Sequence, residues 1–277
     1  MKIFFLTFIF FPIYLHANFI ALNSGVRSLA MGNAFVALAN DPITIFYNSA
    51  GLSKINEIYF LGSRQNLYGI PNLYNDMFVM TFPTPIFRTG FGIQKMELAE
   101  VYSEQIVYFS ISSIIRIKKI PIRFGSSLKY ESAKVQNLSD SQNPSNFDFD
   151  LGLLINLSEN IYFGFSIYNF LEPEFKFISE SDQIHRSIAT GIYYNWRNSV
   201  NFLADYFVNE DDAYWNLGSE MWFYDVFAAR LGVSNEKLTS GFGLKTKNWI
   251  LNGAVMAHEQ LGSTYRISIG YILNRKV

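Results

Sequence analysis

Phe147-Asp148-Phe149-Asp150-Leu151-Gly152-Leu153-Leu154-Ile155-Asn156-Leu157 decides the fold. Phe147, Phe149, Leu151, Leu153, Ile155 and Leu157 occupy alternate positions, and Asp148, Asp150, Gly152 and Asn156 fill the gaps, with Leu154 the exception. A period of two puts the apolar set on one face of an extended strand, whereas a helix needs a period near 3.6. The same alternation follows at once. Ile161, Phe163, Phe165 and Ile167 oppose Tyr162, Gly164, Ser166 and Tyr168. Upstream, Ile122, Phe124, Leu128 and Tyr130 oppose Arg123, Gly125, Ser127, Lys129 and Glu131. Near the end, Tyr265, Ile267, Ile269 and Tyr271 oppose Arg266, Ser268 and Gly270.

Outward from this stretch, about fourteen such segments can be counted, a number a closed barrel accommodates. They run near 57–66, 75–83, 86–95, 102–116, 121–134, 146–157, 160–170, 184–196, 199–208, 212–223, 226–235, 238–247, 249–258 and 264–273. Most have the length of a tilted strand crossing a bilayer. The links sort by parity. Those after odd-numbered segments include the long ones (67–74, 96–101, 135–145, 171–183), and those after even-numbered segments are tight, such as Ser158-Glu159 and Arg197-Asn198. Outer-membrane barrels keep short turns on the periplasmic side and longer loops outside, and an even strand number leaves both termini in the periplasm. In the rival soluble β-sandwich, the polar face would meet water and carry Lys and Glu. Here that face is mostly Gly, Ser, Asn and Tyr, which suits a crowded lumen. Trp196, Trp215, Trp222 and Trp249 fall near strand ends, where aromatic girdles lie.

Composition agrees. Aromatic residues reach 17% while charged residues stop at 16%, where a soluble domain carries roughly 25%. There is no cysteine, hence no disulfide, and the net charge of −1 gives no argument for nucleic acid as a partner. Residues 1–17 read as a Sec signal peptide: Lys2, then apolar Ile3 to Leu15, then Leu15-His16-Ala17 ending on a small residue. The division is therefore a signal peptide (1–17), an N-terminal plug (18–55) and a transmembrane antiparallel β-barrel (56–277). The fold class is all-β, with a small helical plug. The expected environment is outer-membrane lipid.

The plug segment does not alternate. Its small residues allow close backbone packing, either inside the barrel mouth as a plug of short helices or as a periplasmic cap against the rim. Pro42 suits the first turn of a helix that Asp41 caps, and Gly51 is placed to end that helix in a left-handed conformation. Within it, Gly25, Arg27, Leu29, Met31-Gly32, Ala34-Phe35-Val36-Ala37, Asp41 and Tyr47-Asn48-x-Ala50-Gly51-Leu52 resemble the opening of the PorV/PorQ family of FadL-like outer-membrane barrels. The resemblance implies a fourteen-strand barrel with an N-terminal hatch. Ser49 stands where that family usually has proline, and Asn33 where a second glycine is common. Loops able to hold a protein cargo are missing after residue 208.

No enzymatic constellation emerges. His185 and Ser187 share one side of a segment, but two positions along a strand separate them by about 7 Å, too far for direct proton transfer. Glu210-Asp211-Asp212 reads as a solvated loop tip, and neither cofactor nor metal is implied. The glycine pairs Gly90/Gly92 and Gly241/Gly243 read as lumen-side room for the plug. The lumen charges are of both signs: Arg123, Lys129, Glu131, Asp148, Asp150, Asp205, Glu220, Arg230, Lys245 and Arg266. A selective pore usually carries a constriction of one sign. Mixed signs point to salt bridges in a filled interior, with Arg27 needing a wall carboxylate because an unpaired buried charge costs several kcal/mol.

Three functions fit. The first, implied by the resemblance, is a non-enzymatic component of envelope transport or secretion of type IX kind, partnered by other envelope proteins. The second is a FadL-like channel for hydrophobic small molecules such as long-chain fatty acids. The third is a small structural or adhesive barrel with aromatic loops (Leu67, Tyr68, Tyr74).

Overall fold

The computed structural model describes residues 25–84, 86–99, 101–135, 143–176, 181–210, 212–257 and 262–273. The signal-peptide residues, residues 18–24, Asp211 and His258 lie outside them. The wall is built from β1 (Ile58–Asn66), β2 (Leu73–Pro83), β3 (Arg88–Leu98), β4 (Tyr102–Ile117), β5 (Ile120–Val135), β6 (Ser145–Asn156) and β7 (Ile161–Tyr168). It continues through β10 (Ser187–Trp196), β11 (Val200–Val208), β12 (Ala213–Phe223), β13 (Phe227–Ser234), β14 (Lys237–Lys245), β15 (Trp249–Met256) and β16 (Thr264–Leu273). Each strand pairs antiparallel with its neighbours, and β16 returns to β1 in the register Ile58↔Leu273, so these fourteen strands close a barrel with no free edge. Closure matters because lipid offers no partner to an unpaired N–H or C=O.

Alternation decides which side each residue faces. Phe147, Leu128, Leu231 and Ile267 point outward and are exposed, while Asp148, Asp150, Lys129, Glu131, Arg266 and Ser268 are buried inside. Two-residue turns at Lys118-Lys119 and Asn235-Glu236 have positive φ at both residues, the mirror-image geometry that matches strand twist.

One rim, here the turn rim, carries the tight links after β2, β4, β6, β10, β12 and β14 together with both barrel ends. The other, the loop rim, carries the connection from β7 to β10 and that from β5 to β6. The expected long link 96–101 is corrected: β3 continues to Leu98, so pairing with β4 absorbs most of it. The expected segment 184–196 also starts too early. His185 precedes β10 and turns to Glu210, with Nδ1 to Oε2 at 2.6 Å, instead of sharing a strand face with Ser187.

A small hairpin, β8 (Glu174–Lys176) and β9 (Ser181–Gln183), sits within the β7–β10 connection and was not foreseen. Its Phe175 is fully buried in the core. The connection folds over the mouth because wall acids accept its amides: Asn169 N–H donates to Asp150 Oδ1 and Leu171 N–H to Asp148 Oδ1, both at 2.9 Å.

Candidate functional site: a luminal segment bonded to the wall

Residues 25–55 fill the barrel interior as α1 (Val26–Ala30), α2 (Thr44–Tyr47) and a 3-10 helix (Ser49–Lys54). The first lies against β13–β16 and the last against β3–β6, on opposite parts of the wall. Helices this short are unstable alone. What holds them is burial: Phe35, Leu38, Ile43, Ile45 and Leu52 pack with the wall residues Leu61, Val79, Ile106 and Leu203 in one apolar cluster. The expected cap is corrected: α2 starts only at Thr44, with Ile43 at its N-cap and no side-chain cap. Pro42 therefore lies before the helix, and Asp41 Oδ1 instead accepts the Ile43 amide at 3.1 Å.

The wall admits this segment where it lacks side chains. A Cβ on Gly152 would stand 2.3 Å from Asn48 Oδ1, one on Gly125 2.3 Å from the Ala50 nitrogen, and one on Gly218 2.3 Å from the Met31 carbonyl. Gly90 and Gly92 likewise leave room for Ile45, and Gly241 for Ala30. Gly243 differs from expectation, since the space over it holds the Arg230 guanidinium. The segment reciprocates at Gly32, whose φ of 63° and contact with the Val233 and Leu217 carbonyls exclude a side chain. Asn33 adopts φ 60°, the reason a glycine also suits that position. The expectation for Gly51 is corrected: it lies inside the 3-10 helix without positive φ. Its need is space, because a Cβ there would meet the Ala39 carbonyl at 2.3 Å.

Polar bonds then fix the segment all round. The Arg27 guanidinium grips Glu220 of β12 at 2.8 Å through Nε and 2.7 Å through Nη2, and reaches Asp41 at 3.1 Å and Asn40 at 2.8 Å. Burial alone would lower the Arg27 pKa, but Glu220 and Asp41 raise it above the ordinary arginine value. Glu220 is shared with Arg230 (2.7 Å) and accepts from Asn201 (2.9 Å), while Arg230 also donates to Asn252 at 3.0 Å. On β11, Asp205 Oδ2 accepts the Phe35 and Val36 amides at 2.6 and 2.8 Å. Thr239 Oγ1 accepts the Gly32 amide at 2.9 Å. Asn48 donates to the Val36 and Leu153 carbonyls, both at 2.9 Å, and accepts from Ala50. Ser112 donates to the Ala50 carbonyl at 2.9 Å. Leu52 packs in the apolar cluster, and Gly25 offers its carbonyl to Arg266 at 3.4 Å.

The remaining wall charges fall into two groups. Lys129, Glu131, Asp148 and Asp150 form one buried cluster toward the loop rim. Arg123 stands apart near the turn rim, bonded to Asn156 at 2.5 Å. Trp222 departs from the girdle expectation, since its ring lies 5.7 Å from the Arg230 guanidinium and lines a lumen cavity.

The luminal segment separates two cavities. The loop-side one has Asn33, Val36, Phe46 and Tyr47 at its floor. The turn-side one is bordered by Arg27, Asp41, Lys54, Trp222, Arg230 and Lys245.

Residues 61–271 match the model of the family described as type IX secretion system membrane protein PorP/SprF. The chain belongs to that family. The match names PorP/SprF; the stretch resembling PorV/PorQ, residues 25–52, lies before the matched span. No curated protein matches the chain. Solved structures of similar fold include the toluene transporter TbuX of Ralstonia pickettii, 11% identical, with a TM-score of 0.64 over 91% of this chain and 98% of that one. CymD, a monoaromatic hydrocarbon channel, is 11% identical with a TM-score of 0.66 over 92% and 99%. A FadL homologue of Pseudomonas aeruginosa is 9% identical with a TM-score of 0.58 over 90% and 98%. At such identities the likeness is one of fold. This PorP/SprF-family protein is thus an outer-membrane β-barrel of FadL-like architecture.

Proposed function

We propose that this protein is a closed, non-enzymatic membrane component of type IX secretion, acting by holding other envelope proteins at the outer membrane. The observation that carries the reading is the attachment of residues 25–55 to the wall on every side, through the Arg27–Glu220 pair, the Asp205 carboxylate and the apolar cluster. These contacts hold the segment across the lumen between the two cavities. The turn rim faces the periplasm in this reading, as the short turns of bacterial barrels do. Residues 1–17 serve as the signal peptide and 18–55 as the plug. The PorV/PorQ-like run from Gly25 to Leu52 is the plug's docking sequence, since Arg27, Gly32 and Asn48 all touch the wall.

The fold shared with hydrocarbon channels supports a second reading, uptake of a hydrophobic small molecule. The cavity chemistry is mixed: Phe46, Tyr108, Phe207 and Tyr214 line the loop-side space, but so do Lys129, Glu131, Asp150 and Asp205. An apolar passenger would gain contact with the rings only by displacing water from those charged groups, which is costly. Purification of the tagged protein from native outer membranes tests both. Stoichiometric envelope proteins are expected. Bound fatty acid or aromatic hydrocarbon without protein partners would replace the secretion reading with the channel.

A further inference from the structure

The loop-side cavity holds more buried acid than its cation balances. Lys129 Nζ touches Glu131, Asp148 and Asp150 at 3.1, 3.1 and 3.0 Å and also donates to Asn169 Oδ1. Asp205, further round the wall, is a fourth carboxylate. These acids are at most 7% exposed. One ammonium against four carboxylates in a desolvated site is costly unless further positive charge enters.

The hydrogen bonding points the same way. Glu131 Oε2, Asn216 Oδ1 and Ser187 Oγ are buried, belong to residues lining this cavity, and have no hydrogen-bond partner among the described residues. Asp205 Oδ1 also lacks one but lies against Gly191 of the wall. The first two can only accept when Glu131 is ionised, and the Ser187 hydroxyl can accept as well, so all three can take an N–H from a cation. Among the described residues no group of three or more acidic, His or Cys side chains is gathered to hold a metal ion. The acceptors belong to residues around a cavity of about 80 Å³ that opens to solvent, with Phe46 and Tyr108 in edge-to-face contact on its lining. Aromatic rings beside carboxylates favour a cation with an organic body.

We propose that the loop-side cavity binds a small organic ammonium ion, a protonated alkylamine whose N–H groups take the acceptors of Glu131 and Asn216. The amine arrives either as a free small molecule or as the lysine side chain of a polypeptide; the recognition chemistry is shared.

Calorimetric titration of the full-length protein in detergent micelles tests this, with 1,4-diaminobutane as the free amine and N-acetyl-lysine methylamide as the side-chain probe. Sodium and calcium chloride serve at matched ionic strength. Saturable binding of at least one amine is expected, weakened at least about tenfold by Glu131→Gln and severalfold by Asn216→Leu. Binding confined to the diamine assigns the free source, and binding confined to the lysine derivative assigns the side chain. Glutamine has the shape of a protonated glutamate, so equal binding by Glu131→Gln would mean that a proton supplies the balance, and the proposal falls. It falls equally if the wild type binds neither amine, or if calcium binds in their place. Should Glu131→Gln not fold, undiminished affinity in Asn216→Leu overturns it.

Discussion

Glu220→Gln removes the anion that joins the luminal segment to the wall, and its cost can be worked from the contacts. Glu220 accepts three bonds from guanidinium groups, two from Arg27 and one from Arg230, at 2.7–2.8 Å, and its side chain is completely buried. Glutamine replaces one oxygen by a donor that faces another donor and removes the negative charge between two cations. Removing one partner of a buried pair costs roughly 3–5 kcal/mol. The low end applies, because Arg27 keeps Asp41 and Asn40 and its side chain is 13% exposed. Most of that loss falls on the luminal segment, since the interstrand bonds of β12 are untouched. Detachment should therefore become easier by about 3 kcal/mol, on the order of 100-fold in the open population. The chain has no cysteine, so Ser49→Cys supplies a single reporter at a buried position whose hydroxyl lacks a hydrogen-bond partner among the described residues. The rate of labelling by an impermeant maleimide on the folded barrel reads the open population. Glu220→Gln should raise that rate by around two decades. An unchanged rate would show that Glu220 does not hold the segment.

Three further outcomes are expected. Gly152→Ala puts a methyl 2.3 Å from Asn48 Oδ1, an atom held in place by three hydrogen bonds of its own side chain. Urea unfolding in detergent should show a loss of about 2–4 kcal/mol from overpacking and broken bonds. Asp205→Ala strands the buried amides of Phe35 and Val36, and protease nicking of the segment should increase, with about 2–4 kcal/mol lost in the same unfolding assay. Lys54 lies partly buried in the 3-10 helix near Arg123 and Arg27, and desolvation first, then the two arginines, hold its pKa well below the ordinary lysine value. The folded state therefore sheds that proton before the unfolded chain does. Stability should rise with pH from the depressed value up to about 10.4, and Lys54→Met should flatten that rise in melting curves.

The wall was readable in the sequence because two independent constraints act on it. Side-chain period separates lipid from lumen, so Phe147 and Asp148 could be assigned to opposite faces without a partner strand in view. The longest links (135–145 and 171–183) then both fall on one rim, which sorted the two rims, although tight turns such as Asn235-Glu236 lie on that rim too. Where neither constraint applies, reading failed. The β8–β9 hairpin is three residues a side, too short to show alternation, and only the burial of Phe175 reveals what it does. His185 had the right parity for a lumen face, but β10 begins only at Ser187 and the ring turns to Glu210. Trp222 stood at a strand end yet faces inward, because parity outranks position in choosing a side. Within the luminal segment, composition told that backbones would pack closely. It could not pair Arg27 with Glu220, 193 residues away, among several wall carboxylates. Gly51 misled because spatial crowding and left-handed backbone both select glycine, and a sequence does not separate the two causes.

Conductance across a planar bilayer tests closure most directly. The wild-type barrel should insert and stay silent at moderate voltage, while the barrel with Glu220→Gln should flicker open as its luminal segment detaches. A steady ohmic current through the unmodified protein would contradict the account, for it would mean that ions pass a segment bonded to the wall on every side.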